Sequence, residues 1–389
     1  MTAPAILVIN AGSSSLKFTV FVTDGDEPRR TLYGQIERIT TRPRFDAHGP
    51  EGTLDKDVDL GVERCGHTAC LTYLLDWLKS HTTIQAAGHR VVHGGIHFRQ
   101  PVLVTPEILR ELATLTPLAP LHQPHNLAAI HALEQIYPGL PQVACFDTAF
   151  HANKPPVAAI FPLPKDLTAS GVRRYGFHGL SYEYIARVLP KVAPDIAREK
   201  VVVAHLGSGA SMCAMYNGCG IETTMGLSTV DGLIMGTRCG SIDPGVIMFL
   251  AQERGMSLDE IREILYNRSG LKGVSGISND MRELLNTPHP DAVLAVDLFI
   301  YRIRQQLGAL AAALEGIDAL VFTAGIGEHS PVVRERVITA SAWMGMVLDP
   351  HANATGAPRL TTPDSPVSAW MIPTNEELMI AIHARDTLN

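Results

Sequence analysis

The sequence predicts a mixed α/β protein of two domains, and three observations carry that reading. The chain has 389 residues, too long for one ordinary hydrophobic core and well suited to two. Short apolar runs of strand length alternate with longer segments whose leucines and isoleucines recur at helical spacing. A strand, a glycine-serine loop and a returning strand occur near the N-terminus and again in mid-chain, as an internal duplication would place them.

Residues 5–10 (AILVIN) read as a buried strand that stops at a glycine-serine turn, and residues 16–22 return beside it. Residues 68–80 carry Leu71, Leu74, Leu75 and Leu78 on one helical stripe, and residues 125–137 repeat the pattern with Leu127, Ile130, Leu133 and Ile136. Residues 201–204 (VVVA) lead into HLGSGAS, with residues 212–216 as the return strand. The longest helix is expected over residues 291–315, ending at Gly316; residues 319–323 (ALVFT) then form another buried strand. That strand runs into AGIGEHSPVVRE, a glycine turn opening a helix with Pro331 in its first turn. Residues 46–59 and 352–365 are rich in proline, glycine and polar side chains and read as loops.

Composition narrows the class. Hydrophobic residues make up 46% and charged residues 18%, so a sizeable core is available and disorder is not expected. The net charge of −7 argues against a nucleic-acid binder, which would present a basic face. Six cysteines form no CxxC pair and no metal-like spacing, which points to a reducing compartment; with no signal peptide and no apolar stretch of spanning length, a cytoplasmic protein away from membranes is expected.

Three segments, 10–17, 205–211 and 325–329, each follow an apolar strand and are rich in glycine or small hydroxyl residues. Backbone N–H groups in such loops can face a polyphosphate without a Cβ in the way. Singly each is a common tight turn; together they point to a nucleotide. The P-loop signature and the protein-kinase motif set are both absent, which leaves the actin-like ATPase plan, with hairpin loops of two duplicated domains gripping a nucleotide.

The segments INAGSSSLKF, GHRVVHGG, APLHQPHN, FDTAFH, RYGFHGLSY, HLGSGAS, MGTRCGSIDPG, ISNDMRE, FTAGIGEHS and PTNEELMIA occur in that order. On these strings the chain resembles the acetokinase family along nearly its whole length. The resemblance implies two ribonuclease-H-like, actin-like ATPase domains with a nucleotide cleft between them, the first over residues 1–147 and 375–389, the second over 148–374. It further implies a homodimer, ATP as co-substrate and Mg²⁺, with Mn²⁺ as the alternative ion. Position by position, Asn10 and Glu376 match metal residues, Lys17 a nucleotide-phosphate contact, and Arg90 the substrate-carboxylate arginine. Asp147 matches the catalytic acid, His178 and Arg238 the transition-state stabilisers, and His122 a further active-site histidine. His205, Leu206, Gly207, Ser208 and Gly209 match one nucleotide loop, Asp280, Met281 and Arg282 a second, and Gly325, Ile326, Gly327, Glu328 and His329 a third. Val92 and Leu121 are candidate walls of the acid pocket.

These residue types suit the chemistry the resemblance implies, transfer of the ATP γ-phosphoryl group to acetate. A carboxylate is already ionised at neutral pH, so no strong base is required. The obstacle is charge, because an anion must approach an anionic phosphoryl group, and cationic screening plus positioning meets it. Arginine forks bind carboxylate or phosphate oxygens through two parallel bonds, which suits Arg90 and Arg238. Asp147 is expected to orient metal-bound water or an arginine, since the nucleophile has no proton to lose. Without the resemblance, an exposed ion-pair partner is the favoured reading of either arginine alone, His178 reads equally as a core histidine, and Asp147 can be a turn or helix cap. Ser208, Leu180, Tyr182, Ser241, Met281 and His329 depart from the family pattern. A propionate or butyrate kinase is the neighbouring reading, and a non-catalytic ATP-driven switch the rival of another class.

Overall fold

The computed structural model describes residues 5–389. The chain divides into two compact units, one holding the residues up to Ala152 together with Asn375–Asn389, the other Asn153–Thr374. The short turn Ala149–His151 stays with the first unit, where the Thr148 hydroxyl accepts from the Gly94 N–H.

The first unit is built on an eight-stranded sheet. Its strands are β1 (Ala5–Ala11), β2 (Ser15–Val22), β3 (Arg29–Glu37), β4 (Arg44–Gly49), β5 (Gly52–Asp59), β6 (Ile84–Val91), β7 (Val102–Leu103) and β8 (Gln142–Phe146), in the order β5-β4-β3-β2-β1-β6-β8-β7. Strands β1 to β5 are antiparallel neighbours, whereas β1, β6 and β8 run parallel. The second unit holds β9 (Val201–Leu206), β10 (Ala210–Tyr216), β11 (Cys219–Thr223), β12 (Ala319–Thr323) and β13 (Ser368–Met371) in the order β11-β10-β9-β12-β13. Here β9 to β11 are antiparallel and β9, β12 and β13 parallel. The run β3-β2-β1-β6-β8 thus has the order and directions of β11-β10-β9-β12-β13.

One face of the first sheet packs on the helices His67–Lys79 and Gln123–Ile136. The stripe Leu71, Leu74, Leu75 and Leu78 is buried against Leu7, Ile9, Phe18 and Phe45. Strand alternation sends Ala87 into that core and Gly88 to the opposite face, where the C-terminal helix Glu376–Leu388 lies on β1, β6 and β8. Close approach explains the glycine: a Cβ at position 88 would sit 2.6 Å from Ile380 Cγ2. In the second unit the helix Pro290–Ala313 buries Phe299, Ile303, Leu307 and Leu310 and packs on the antiparallel strands β9 to β11.

Five segments differ from their expected form. Residues 46–59, expected as a loop, form most of the β4–β5 ribbon; Phe45 and Ala47 turn into the core, and Arg44 bridges Asp57 Oδ1 (2.7 Å) and Asp59 Oδ2 (3.3 Å). Residues 352–365 are not simply a loop: Pro350–Thr355 is a helix capped by Asp349, and isolated bridges pair Leu348 with Thr361 and Arg359 with Trp370. In the two hairpins the strands reach further than expected. His205 and Leu206 end β9 and pair with Ser211 and Ala210, leaving only residues 207–209 as the loop, and Asn10 faces Lys17 across β1 and β2. Finally, residues 324–329 form a helix rather than an open turn, started by Ala324 in the left-handed region (φ 64°), whose N–H donates to Glu328 Oε1 (2.7 Å).

Two stability predictions follow from packing on β6. Gly88→Val is expected to cost about 1–3 kcal/mol through overpacking against Ile380, read as a lower urea midpoint with an unchanged slope. His89, 1% exposed, donates from Nε2 to Gln142 Oε1 (2.8 Å), and its buried Nδ1 has no hydrogen-bond partner. Burial lowers the ring from 6.5 to about 4, so between those values the unfolded chain takes up a proton that the folded chain refuses. Stability therefore falls as pH drops from 6.5 towards 4, by about 1.4 kcal/mol per pH unit for this ring. His89→Met should flatten that segment of a urea-midpoint-against-pH curve, and an unchanged slope would show that the ring contributes nothing to it.

Candidate active site

In the first unit the carboxyl ends of three parallel strands bring distant residues together. Asn10 lies near the end of β1, Arg90 near the end of β6 and Asp147 just after β8. The Arg90 fork grips the fully buried Asp147, Nε to Oδ1 at 3.0 Å and Nη2 to Oδ2 at 2.5 Å, while Nη1 reaches Asn10 Oδ1 at 3.4 Å. Glu376, first residue of the C-terminal helix, stands with Oε2 3.9 Å from Arg90 Nε. Burial pushes the Glu376 carboxyl up to about 7; Arg90 pulls it back and Asp147 pushes it further up. Burial alone lowers Arg90, yet Asp147 and Glu376 outweigh it and hold the guanidinium above its ordinary value. Lys17 is exposed on β2 and opposes the rise of Glu376.

The wall beside this cluster is pinned by carboxamides. Asn126 Oδ1 accepts from the Val92 N–H (2.9 Å) while its Nδ2 donates to Ala11 O (2.8 Å), tying the helix Gln123–Ile136 to the ends of β1 and β6. Gln123 Nε2 donates to His93 O and Leu112 O. Val92 is buried here, and half-buried Leu121 and His122 lead into the same helix.

In the second unit His178 caps the helix Gly179–Val192 in the left-handed region (φ 57°). Its ring stacks on His205 at 4.2 Å with 13° between planes. Nδ1 of His178 meets Ser211 Oγ at 2.8 Å, and Nδ1 of His205 meets Ser181 Oγ at 2.8 Å, so the helix and the β9–β10 hairpin brace each other crosswise. Arg238 donates from Nη1 to Thr229 O (2.6 Å). A Cβ at position 209 would lie 2.9 Å from Arg238 Nη2 and 3.2 Å from His178 Nε2, so both donors converge over Gly209.

Near that loop lies a pocket of about 660 Å³ lined by Gly207, Ser208, Asp280, Met281, Arg282, Gly325, Ile326 and His329. The expected nucleotide residues His205, Leu206, Gly209, Gly327 and Glu328 are not among its lining. Gly327 packs on Phe322, and Glu328 Oε1 accepts from the N–H groups of Ala324 and Thr374. Asp280 caps the helix Met281–Leu285, and the Arg282 side chain and backbone N–H hold its carboxyl below the usual value.

Several participants were not singled out from the sequence. Asn279 and Asn286 line the pocket. Arg334, 2% exposed, donates to the carbonyls of Gly327, Glu328 and Asn353 and to Asn353 Oδ1, fixing the turn beneath it. Buried Lys154 donates to Arg174 O (3.2 Å) and Tyr175 O (2.9 Å), holding the segment that leads to His178. Ser211 lay inside a recognised string, but only its tertiary contacts give it a task. No helix among the described residues is long and apolar enough to cross a membrane.

The profile of the Acetokinase family matches residues 5–382. The acetate kinase of Rhodopseudomonas palustris is 53% identical over 386 residues, 97% of each chain, and that of Nitrobacter hamburgensis is 50% identical over 388 residues, 99% of this chain and 96% of that one. Among solved structures, the acetate kinase of Porphyromonas gingivalis superposes with a TM-score of 0.89 at 36% identity over 100% of both chains. A propionate kinase of Francisella tularensis gives 0.92, also at 36%, over 98% of this chain and 99% of that one. The α/β architecture with its two sheets is that of the actin-like ATPase class, and the chain belongs to the acetokinase family.

Proposed function

We propose that this protein is an ATP-dependent acetate kinase that transfers the γ-phosphoryl group reversibly to acetate, giving acetyl phosphate and ADP. The observation that carries the reading is the convergence of Arg238 Nη2 and His178 Nε2 over Gly209, in the loop that follows β9. Two donors aimed at one point fit the equatorial oxygens of a phosphoryl group, whose charge they stabilise as it transfers. The pocket beside Gly207 and Ser208 is assigned to the nucleoside, with the glycines of 207–209 and 325 near its phosphates.

Arg90 is assigned to the acid. Asp147 occupies its Nε–Nη2 edge, so the acid is offered the other edge, through Nη1 and the second Nη2 hydrogen. Asp147 in this reading aims the guanidinium and takes no proton. His122 completes the acid site, with Val92 and Leu121 as its walls. Asn10 and Glu376 are the residues we assign to Mg²⁺, with Mn²⁺ as the alternative. Two oxygen donors suit a hard ion that keeps water and phosphate oxygens in its remaining positions, and among the described residues no group of three or more His, Cys, Asp or Glu is arranged to hold a metal alone. Bound there, the ion would neutralise phosphate charge. Asn153–Thr374 is taken as the nucleotide domain and the remainder as the acid domain.

A homodimer is part of the proposal. The helix Pro244–Gln252 has no buried residue and exposes Val246, Met248 and Phe249, a surface that a second copy would cover. A cytoplasmic location is proposed from the six free cysteines. Propionate is the second acid to consider, because the propionate kinase structure is as similar as the acetate kinase one.

Trapping acyl phosphate with hydroxylamine tests the reaction. Hydroxamate should form with acetate, ATP and Mg²⁺, fall with propionate and butyrate, and vanish on chelation; ATP hydrolysis without hydroxamate for any acid would favour the switch reading. Arg238→Ala should lower kcat about 10²–10³-fold in the same assay. Arg90→Lys keeps a charge beside buried Asp147 but loses the fork, and should raise KM for acetate about tenfold with KM for ATP within about twofold. Equal changes in both KM values would remove the assignment of Arg90 to the acid.

A further inference from the structure

Tyr182 lies four residues after His178, so both side chains project from one face of the helix Gly179–Val192. They meet at a single atom, Ser211 Oγ on β10, which is 2.8 Å from His178 Nδ1 and 2.5 Å from Tyr182 Oη. Both contacts are secluded, for Ser211 and Tyr182 are fully buried.

A serine hydroxyl has one hydrogen to give and lone pairs to receive. A phenol is the more acidic hydroxyl and the poorer acceptor, so the favoured direction is Tyr182 O–H to Ser211 Oγ and then Ser211 O–H to His178 Nδ1. That leaves Nδ1 as acceptor and puts the ring proton on Nε2, the atom beside Arg238 Nη2 over Gly209. The reverse direction with a neutral ring would turn the Nε2 lone pair towards that point and repel a phosphoryl oxygen. The His205 ring, stacked 4.2 Å away and held by Ser181, disfavours simultaneous charge on both rings.

We propose that Tyr182 and Ser211 form a two-hydroxyl relay that fixes the orientation and tautomer of His178, presenting Nε2–H to the transferring phosphoryl group. Tyr182 and Ser211 are positioning residues; neither touches the reacting atoms. The proposal rests on the reading of His178 as a phosphoryl donor, and its test separates the two.

The nucleotide-free protein, labelled with ¹⁵N-histidine, is observed by NMR, the His178 signals being those lost in His178→Gln. Expected is a protonated Nε2 and a bare Nδ1; a protonated Nδ1 in the neutral ring overturns the relay. In Tyr182→Phe the same signals should move towards a tautomer mixture, with kcat lowered about tenfold and both KM values within about twofold, the scale on which an outer hydrogen-bond partner acts. Ser211→Ala should show the larger loss and Ser211→Thr, which keeps the hydroxyl, should restore the Nε2–H signature. A Tyr182→Phe protein that is only less stable, with spectrum and kcat unmoved, would reduce the tyrosine to packing and sink the proposal. If His178→Gln retained full turnover while the spectra behaved as expected, the phosphoryl reading would fail and the relay would stand.

Discussion

The first unit is organised by a buried ion pair. Asp147 has no exposure to water, and a carboxylate in that position is costly unless an opposite charge and hydrogen bonds meet it. Arg90 meets it with two parallel bonds, which requires β6 and β8 to hold their parallel register so that the two strand ends stay level. The same guanidinium stands beside Glu376, so the start of the C-terminal helix must approach the sheet closely, and Gly88 permits it. Glycine on one strand, a carboxylate after another and a helix from the far end of the chain are thus parts of one electrostatic arrangement. An arginine held in this way loses little freedom when a further anion arrives.

The second unit solves a related problem with different chemistry. Its strands repeat the order and directions of the first, and Arg238 and His178 meet over Gly209, in the loop that follows β9. Arg238 donates to a backbone carbonyl, and the two histidines meet serine hydroxyls. A neutral hydrogen-bond partner orients a side chain without neutralising it. The loop needs glycine at 209 because the space a Cβ would fill is where the two donors meet.

Much of this was legible in one sequence. Apolar runs and leucine stripes located β1, β2, β9, β10 and β12 and the helices His67–Lys79, Gln123–Ile136 and Pro290–Ala313, since burial on one face imposes those periods, whereas β6, β8 and the helix Gly179–Val192 were not read. The β4–β5 ribbon was not legible: only Phe45 and Ala47 of β4 turn into the core, too short an alternation to mark a strand, and β5 is exposed along most of its length and tied by Arg44 to Asp57 and Asp59. The ends of β9 and β10 were misplaced because glycine and serine were taken to start the loop at His205, whereas the pairing of His205 with Ser211 continues the strands. The site residues carried by motif strings were legible as types, and their partners were not. Ser211, Arg334 and Asn126 act through contacts with residues far away in the chain, and nothing local marks them.

The absence of a proton to remove from the acceptor changes what the titratable groups are for. In a site that must deprotonate a hydroxyl, a carboxylate or imidazole has to change its charge during turnover. Here a carboxylate acceptor arrives ionised, so no side chain is needed to take its proton. Asp147 is occupied in aiming Arg90, and the His178–His205 stack is locked by serines on both sides. Groups that never exchange protons can be desolvated and rigidly hydrogen-bonded without slowing a step, so seclusion and pre-organisation reinforce each other. That freedom is a physical reason why the fold can bury so much of the hydrogen-bonded framework around its donors.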